Sequence, residues 1–213
     1  MKVKLLIATI ASIAAVTAHA TLITDAVEND GSWTKIDNGG FSTGRDGLVP
    51  VEGDSFFYYG TTGTRNAGTW KLFSETFTAE TLKVTYSLGE FTDINNPWTW
   101  TGAISPLLFA DTNEDGLYTW SERILSTTQV SHTAPSNGWE QWEDRYEINA
   151  STQTVNGDFV IGEQVGFFVY SPVGSYENFT FDSLQIETIP EPATLGLLGF
   201  SVLALMGIRR IGT

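Results

Sequence analysis

Leu82-Lys83-Val84-Thr85-Tyr86-Ser87-Leu88-Gly89 sets an apolar side chain at every second position, with a polar or short one between. A period of two puts Leu82, Val84, Tyr86 and Leu88 on one face of an extended strand, and that face needs a core to cover it. Working outward, Trp70, Leu72, Phe73 and Phe77 predict a strand just before it. Further extended runs are Phe56–Tyr59, Ile104–Ala110, Trp142–Ile148, Phe159–Ile161, Val165–Tyr170 and Phe179–Glu187. Gly, Asn, Asp, Pro and Ser fill the gaps between them, as turns require. No stretch inside the chain ends sustains a helical period, and no repeat or linker interrupts residues 21–189. This many short strands predict an all-β fold, a two-sheet antiparallel sandwich of the jelly-roll kind.

The two ends read differently. Lys2 and Lys4 precede an apolar run from Leu5 to Val16, and Ala18-His19-Ala20 follows as a small-x-small site. That order predicts a secretory signal helix over residues 1–20, removed after Ala20. At the other end, Ile189-Pro190-Glu191-Pro192 leads into an uncharged run from Pro192 to Ile208, closed by Arg209-Arg210. Its 17 residues span ~25 Å as a helix, short of a ~30 Å bilayer core. The arginine pair belongs on the cytoplasmic side. The domains expected are therefore a signal peptide (1–20), a β-sandwich (21–188) and a hydrophobic C-terminal helix with a basic end (189–213).

Pro190-Glu191-Pro192, the apolar segment and Arg209-Arg210 together resemble the PEP-CTERM sorting signal of Gram-negative bacteria. The resemblance covers about residues 189–211. It implies recognition by an exosortase, a membrane transpeptidase-like protease. It also implies transient anchoring in the inner membrane, then release to the cell surface or extracellular polymer.

Composition narrows the partners. Residues 21–189 hold 24 Asp and Glu against 7 Lys and Arg, hence a formal charge of −17. Such a surface repels nucleic acid and anionic membranes and favours cations. The chain has no cysteine, which excludes disulfides, thiol catalysis and zinc-thiolate sites. With His19 in the signal peptide, only His132 remains, so no multi-histidine metal site is possible. His132 reads as a loop residue.

One motif carries chemistry. Asp111-Thr112-Asn113-Glu114-Asp115-Gly116-Leu117-Tyr118-Thr119-Trp120-Ser121-Glu122 fits D-x-[DN]-x-[DN]-G-x5-E at every fixed position. Asp111, Asn113 and Asp115 offer oxygens around a tight turn, and Gly116 permits the bend. Leu117 offers its carbonyl, Thr119 its hydroxyl or a water, and Glu122 two oxygens from the far side. An oxygen-only donor set of this kind suits calcium. The stretch resembles the EF-hand calcium loop, but Ile104–Phe109 before it reads as a strand and not as an entering helix. The expectation is a bracing loop between β elements. An ion-free acidic turn is the alternative reading.

Further residues are candidates for a ligand. Glu28-Asn29-Asp30-Gly31-Ser32-Trp33, Gly47 to Asp54 and Phe179 to Leu184 loosely resemble galactose-binding-like, carbohydrate-binding jelly rolls. In that family a structural calcium is shared between acids of the first and last strands, which implies Glu28 or Asp30 with Asp182. Trp98, Trp100 and Trp139 sit by turn residues and are the candidates for stacking on sugar rings, with core packing the plainer role for tryptophan. Glu140, Glu143 and Asp144 read as a solvated acidic face, because a glycosidase pair needs two carboxyls at a set separation in a cleft. The expected function is a non-enzymatic, calcium-stabilised surface or matrix protein that binds polysaccharide. A secreted glycan-active enzyme and a purely structural matrix component remain the alternatives.

Overall fold

The structure is a computed structural model that describes residues 22–36, 39–45, 47–59, 67–90, 103–127, 132–133, 138–171 and 179–189. The expected signal helix and hydrophobic tail helix lie outside these residues, as do Trp98 and Trp100. Residues 21–188 form one compact unit. Among the described residues no helix is long and apolar enough to cross a membrane.

The described elements are β1 (Leu22–Asp25), β2 (Thr34–Ile36), β3 (Gly40–Ser42), β4 (Phe56–Tyr59), β5 (Ala67–Thr76) and β6 (Glu80–Glu90). They continue with β7 (Ala103–Ala110), β8 (His132–Thr133), β9 (Gly138–Ile148), β10 (Gln164–Ser171) and β11 (Phe179–Ile189). Two short 3-10 turns, Trp120–Glu122 and Leu125–Thr127, follow β7. Sheet A runs β3-β4-β11-β6-β9, with β1 also paired to β11. Sheet B runs β2-β5-β10-β7-β8. The fold is an antiparallel β-sandwich, as the alternation in β6 predicts.

Leu82, Val84, Tyr86 and Leu88 point from β6 into the core between the sheets. They meet Phe167 and Val169 of β10, Leu108 and Ala110 of β7, and Phe179, Phe181, Leu184 and Ile186 of β11. Burying a side chain of this size is worth roughly 1.5–3 kcal/mol, so this layer dominates the stability. The period of two predicts one buried face for β6, but Thr85 and Ser87 on its outer face are buried too. On the same strand, the Trp139 ring stands against Gly89.

Sheet B carries a second apolar layer on its outer face. Phe168 and Tyr170 alternate with the core-facing Phe167 and Val169, and they pack with Trp70, Leu107 and Phe109. Tyr118, from the loop after β7, covers this layer, with ring centroids 4.6 Å from Phe168 and 4.9 Å from Phe109.

Two expectations need correction. Phe159–Ile161 is not a strand; it lies in a turn-rich segment, with an isolated bridge from Phe159 to Gln153 and Val160 N donating to the Thr152 carbonyl at 3.3 Å. Phe159 and Ile161 are exposed, whereas Val160 between them is fully buried. His132 is not a loop residue but part of β8, paired to Ile104 of β7.

At Gly68 the backbones of β5 and β10 approach so closely that a methyl would drive into the Val169 carbonyl oxygen. Gly68→Ala is expected to lose about 1–3 kcal/mol, the usual cost of overpacking, read as a lower urea midpoint at unchanged slope.

Candidate functional site

The loop after β7 builds itself from its own acids. Asp111 follows Ala110 directly and is buried, and its two carboxylate oxygens accept N–H bonds from Asp115 (3.2 Å) and Gly116 (2.9 Å). Asn113 Oδ1 accepts the Asp115 N–H at 3.0 Å, and Asp115 Oδ1 accepts that of Leu117 at 2.8 Å. Gly116 takes φ +72°, the left-handed turn that glycine makes without strain. The loop then closes in a capping box: Glu122 Oε2 accepts from Thr119 N at 2.9 Å and Thr119 Oγ1 at 2.8 Å.

Glu122 is 2% exposed, and its Oε1 is buried with no hydrogen-bond partner. A buried carboxylate oxygen left unpaired is costly unless something cationic meets it. Among the described residues, however, no three acidic or histidine side chains converge closely enough to hold a metal. The loop thus has the donor types a calcium ion takes, with one orphaned carboxylate oxygen, and its acids are turned onto the backbone. Beside it opens a cleft of about 470 Å³ lined by Asp111, Glu114, Asp115, Gly116, Gly162, Glu163 and Gln164. Glu163 comes from the turn before β10, and no local sequence signal connects it to the motif.

A second acidic region forms where β11 changes partners. β4 pairs with Phe179–Phe181 and β1 with Leu184–Glu187. Between them Ser183 has φ +56°, and the fully buried Asp182 carboxylate accepts N–H bonds from Val51 (2.6 Å), Glu52 (3.4 Å) and Ser183 (2.7 Å). Glu28 grips the same loop from the other side, accepting from Asp54 N and Ser55 Oγ. Glu28 and Asp182 therefore hold the same loop from two sides. Asp30 is exposed and closes its own turn onto Ser32 N at 2.8 Å.

Burial pushes Asp182 up to about 7, against the lowering effect of its three N–H donors, and the Glu28 charge adds to the rise. A proton is then taken up on folding between the ordinary value of 3.8 and about 7.

Trp139 is half-buried. Its ring packs edge-on to Phe56 at 5.3 Å, and its Nε1 donates to the Val49 carbonyl at 2.8 Å. It straps the loop before β4 to the outer face of sheet A. The acids of β9 do not form one solvated face. Glu143 points outward and pairs with Arg145 at 2.9 Å, and Glu140 is exposed. Asp144 points into the core, where it accepts from Tyr86 Oη and sits 3.1 Å from His132 Nε2. The His132 ring lies 4.2 Å from Trp142. This cluster joins edge strand β8 of sheet B to β6 and β9 of sheet A. Sequence alone could not find it, because the partners are dispersed and strand alternation separates Glu143 from Asp144.

Residues 188–211 match the PEP-CTERM protein-sorting motif. The match implies export and sorting of the chain, and its first two residues, Thr188 and Ile189, belong to β11. Among curated proteins, none matches the sequence. Solved structures show the likeness of fold. The CBM22-1 xylan-binding domain of Paenibacillus barcinonensis Xyn10C aligns with TM-score 0.52 at 10% identity, covering 80% of this chain and 95% of that one. A Stig cyclase, FisC from Fischerella sp. TAU, aligns with TM-score 0.53 at 12% identity over 84% and 93% of the two chains. A further CBM 22 xylan-binding domain gives 0.50 at 14% identity over 78% and 93%. The fold observed is thus an antiparallel jelly-roll sandwich like that of these domains.

The proton uptake at Asp182 sets a sign. Its contribution to stability is fully present below about pH 4 and is lost as pH rises through about 7, because the unfolded chain ionises this carboxyl more readily. Asp182→Asn is expected to flatten that slope in urea titrations run from acidic to neutral pH. In a separate check, His132→Ala is expected to lower the melting temperature by opening the clasp between the sheets, with Asp144 left buried beside Tyr86 alone.

Proposed function

We propose that the chain is a non-enzymatic exported protein, passed outward by an exosortase-type membrane protease, whose β-sandwich binds extracellular polysaccharide. The observation that carries this reading is the pairing of a sorting motif with a jelly roll shared by xylan-binding domains. The tail from Pro190 to Arg210 serves as a temporary inner-membrane anchor in a Gram-negative envelope, and the domain ends at the surface or in the matrix. A polysaccharide offers hydroxyl groups, which meet an acidic surface without the repulsion that a polyanion suffers.

Calcium is the cofactor we assign to the loop after β7. Asp111, Asn113, Asp115 and Glu122 would supply side-chain oxygens, Leu117 its carbonyl and Thr119 its hydroxyl. The ion would neutralise the orphaned Glu122 Oε1 and pull the loop acids inward from their backbone bonds. Its role is to brace the loop that carries Tyr118 onto the outer layer of sheet B.

Calcium at a hundredfold excess over its Kd adds about 2.7 kcal/mol. At roughly 2–4 °C per kcal/mol, heating curves should rise by several degrees over those in chelator, and Glu122→Gln should cancel the difference. Superimposable curves for the native chain would remove calcium from the account.

For the ligand, affinity electrophoresis through a panel of neutral and acidic polysaccharides should retard the folded protein on at least one, with no reducing ends released. Release of product would favour a glycan-active enzyme. Unretarded migration on every polymer would leave a structural matrix role.

A further inference from the structure

One exposed apolar face is left unused by this reading. Ile124 and Thr154 form a bridge and are both fully buried. Alternation along the two segments then turns Arg123, Leu125, Gln153 and Val155 the other way. Phe159, bridged to Gln153, and Ile161 two residues on extend that face. Leu125, Val155, Phe159 and Ile161 are 55, 41, 60 and 39% exposed. Trp120, 40% exposed, lies under the Arg123 guanidinium at 3.6 Å but packs edge-on to Tyr170 on the outer layer of sheet B, and so stands apart from this face. A contiguous patch of this kind marks an interaction surface, whereas scattered single residues do not.

Its place in the fold names the partner. Gly162 N donates to the Phe77 carbonyl and Phe77 N to that of Glu163, both at 2.9 Å. Phe77 in turn lines a small crevice with Thr188, Ile23 and Val165. The patch therefore lies at the end of the sandwich where β11 finishes and the sorting segment begins. β11 runs to Ile189 and the apolar run opens at Pro192, three residues later. At up to ~3.6 Å per residue, that tether is only ~10 Å long. A tail held in a bilayer keeps this end of the domain at the lipid surface, at high effective concentration.

We infer that the face formed by Leu125, Val155, Phe159 and Ile161 rests on the membrane surface while the sorting segment is embedded. Its chemistry suits that layer: aromatic and aliphatic side chains enter the acyl boundary, and the Arg123 guanidinium reaches headgroup phosphate. The carboxylates of Asp158 and Glu163 beside it disfavour anionic lipid, so the surface it fits is zwitterionic. Cleavage of the tail removes the tether, and the face alone is too small to hold the domain there. The inference rests on the proposal that the tail is a membrane anchor.

The chain has no cysteine, so Phe159→Cys and Leu125→Cys each accept a single polarity-sensitive fluorophore. Val49→Cys, at an exposed position in the loop before β4, is the control. The full chain is floated with phosphatidylcholine–phosphatidylethanolamine vesicles that carry a headgroup-proximal spin-labelled lipid. The labels at positions 159 and 125 should be quenched severalfold more than the label at 49. Equal quenching at all three, or none at 159 and 125 in a chain that floats, overturns the membrane face and leaves the anchor standing. Energy transfer between labelled copies without lipid quenching assigns the face to a second copy, which also overturns it. A chain that does not float removes the anchor and the face together.

Discussion

The buried carboxylate of Asp182 takes three backbone N–H groups at the point where β11 exchanges one partner strand for another. Much of sheet A depends on that junction. β4 can pair only with the first part of β11 and β1 only with the last part, because Ser183 turns the backbone between them. The loop from Val51 to Ser55, caught between Asp182 and Glu28, brings the segment before β4 down onto the outer face. The strap from Trp139 to Val49 then closes the same loop from β9. A carboxylate in such a place would be a liability if its oxygens were unpaired; here its donors fix the register of two strands and the position of a loop.

β11 has a second consequence. It is the last strand of the domain in sequence, yet it lies inside its sheet, with β6 on one edge and β4 and β1 on the other. The sorting motif begins inside this strand, so the motif and the core share one continuous backbone. Force on the tail is resisted by hydrogen bonds on both edges of β11, and the loop after β7, the turn before β10 and the exit to the tail are gathered at one end of the sandwich.

The alternation in Leu82–Gly89 was enough to predict the class of fold, since a strand with one apolar face demands a facing layer. The long strands β5, β6, β7, β9, β10 and β11 were legible for the same reason. β1, β2, β3 and β8 were not, because segments of two to four residues carry no period; β4, equally short, was legible only from its run of four aromatic residues. Phe159–Ile161 misled in the opposite sense, as its apolar spacing serves an exposed face. Of the site, the loop motif was legible because its residues are consecutive. The Glu163 side of the cleft and the His132–Asp144–Tyr86 cluster were not, since neighbours along the chain say nothing of partners brought in by another strand.

The sequence by itself determined the route and the class: a PEP-CTERM motif, no cysteine, a strongly acidic domain and strands of period two. Those are properties of composition and local order, and they survive any arrangement of the strands. Only the tertiary structure decided which acids are buried and which are solvated. Glu143 and Asp144 are adjacent and chemically alike, yet one meets Arg145 in water and the other meets Tyr86 and His132 in the core. Burial is set by which sheet face a residue turns toward and by what the opposite sheet places there, and both are fixed only when the two sheets close on each other.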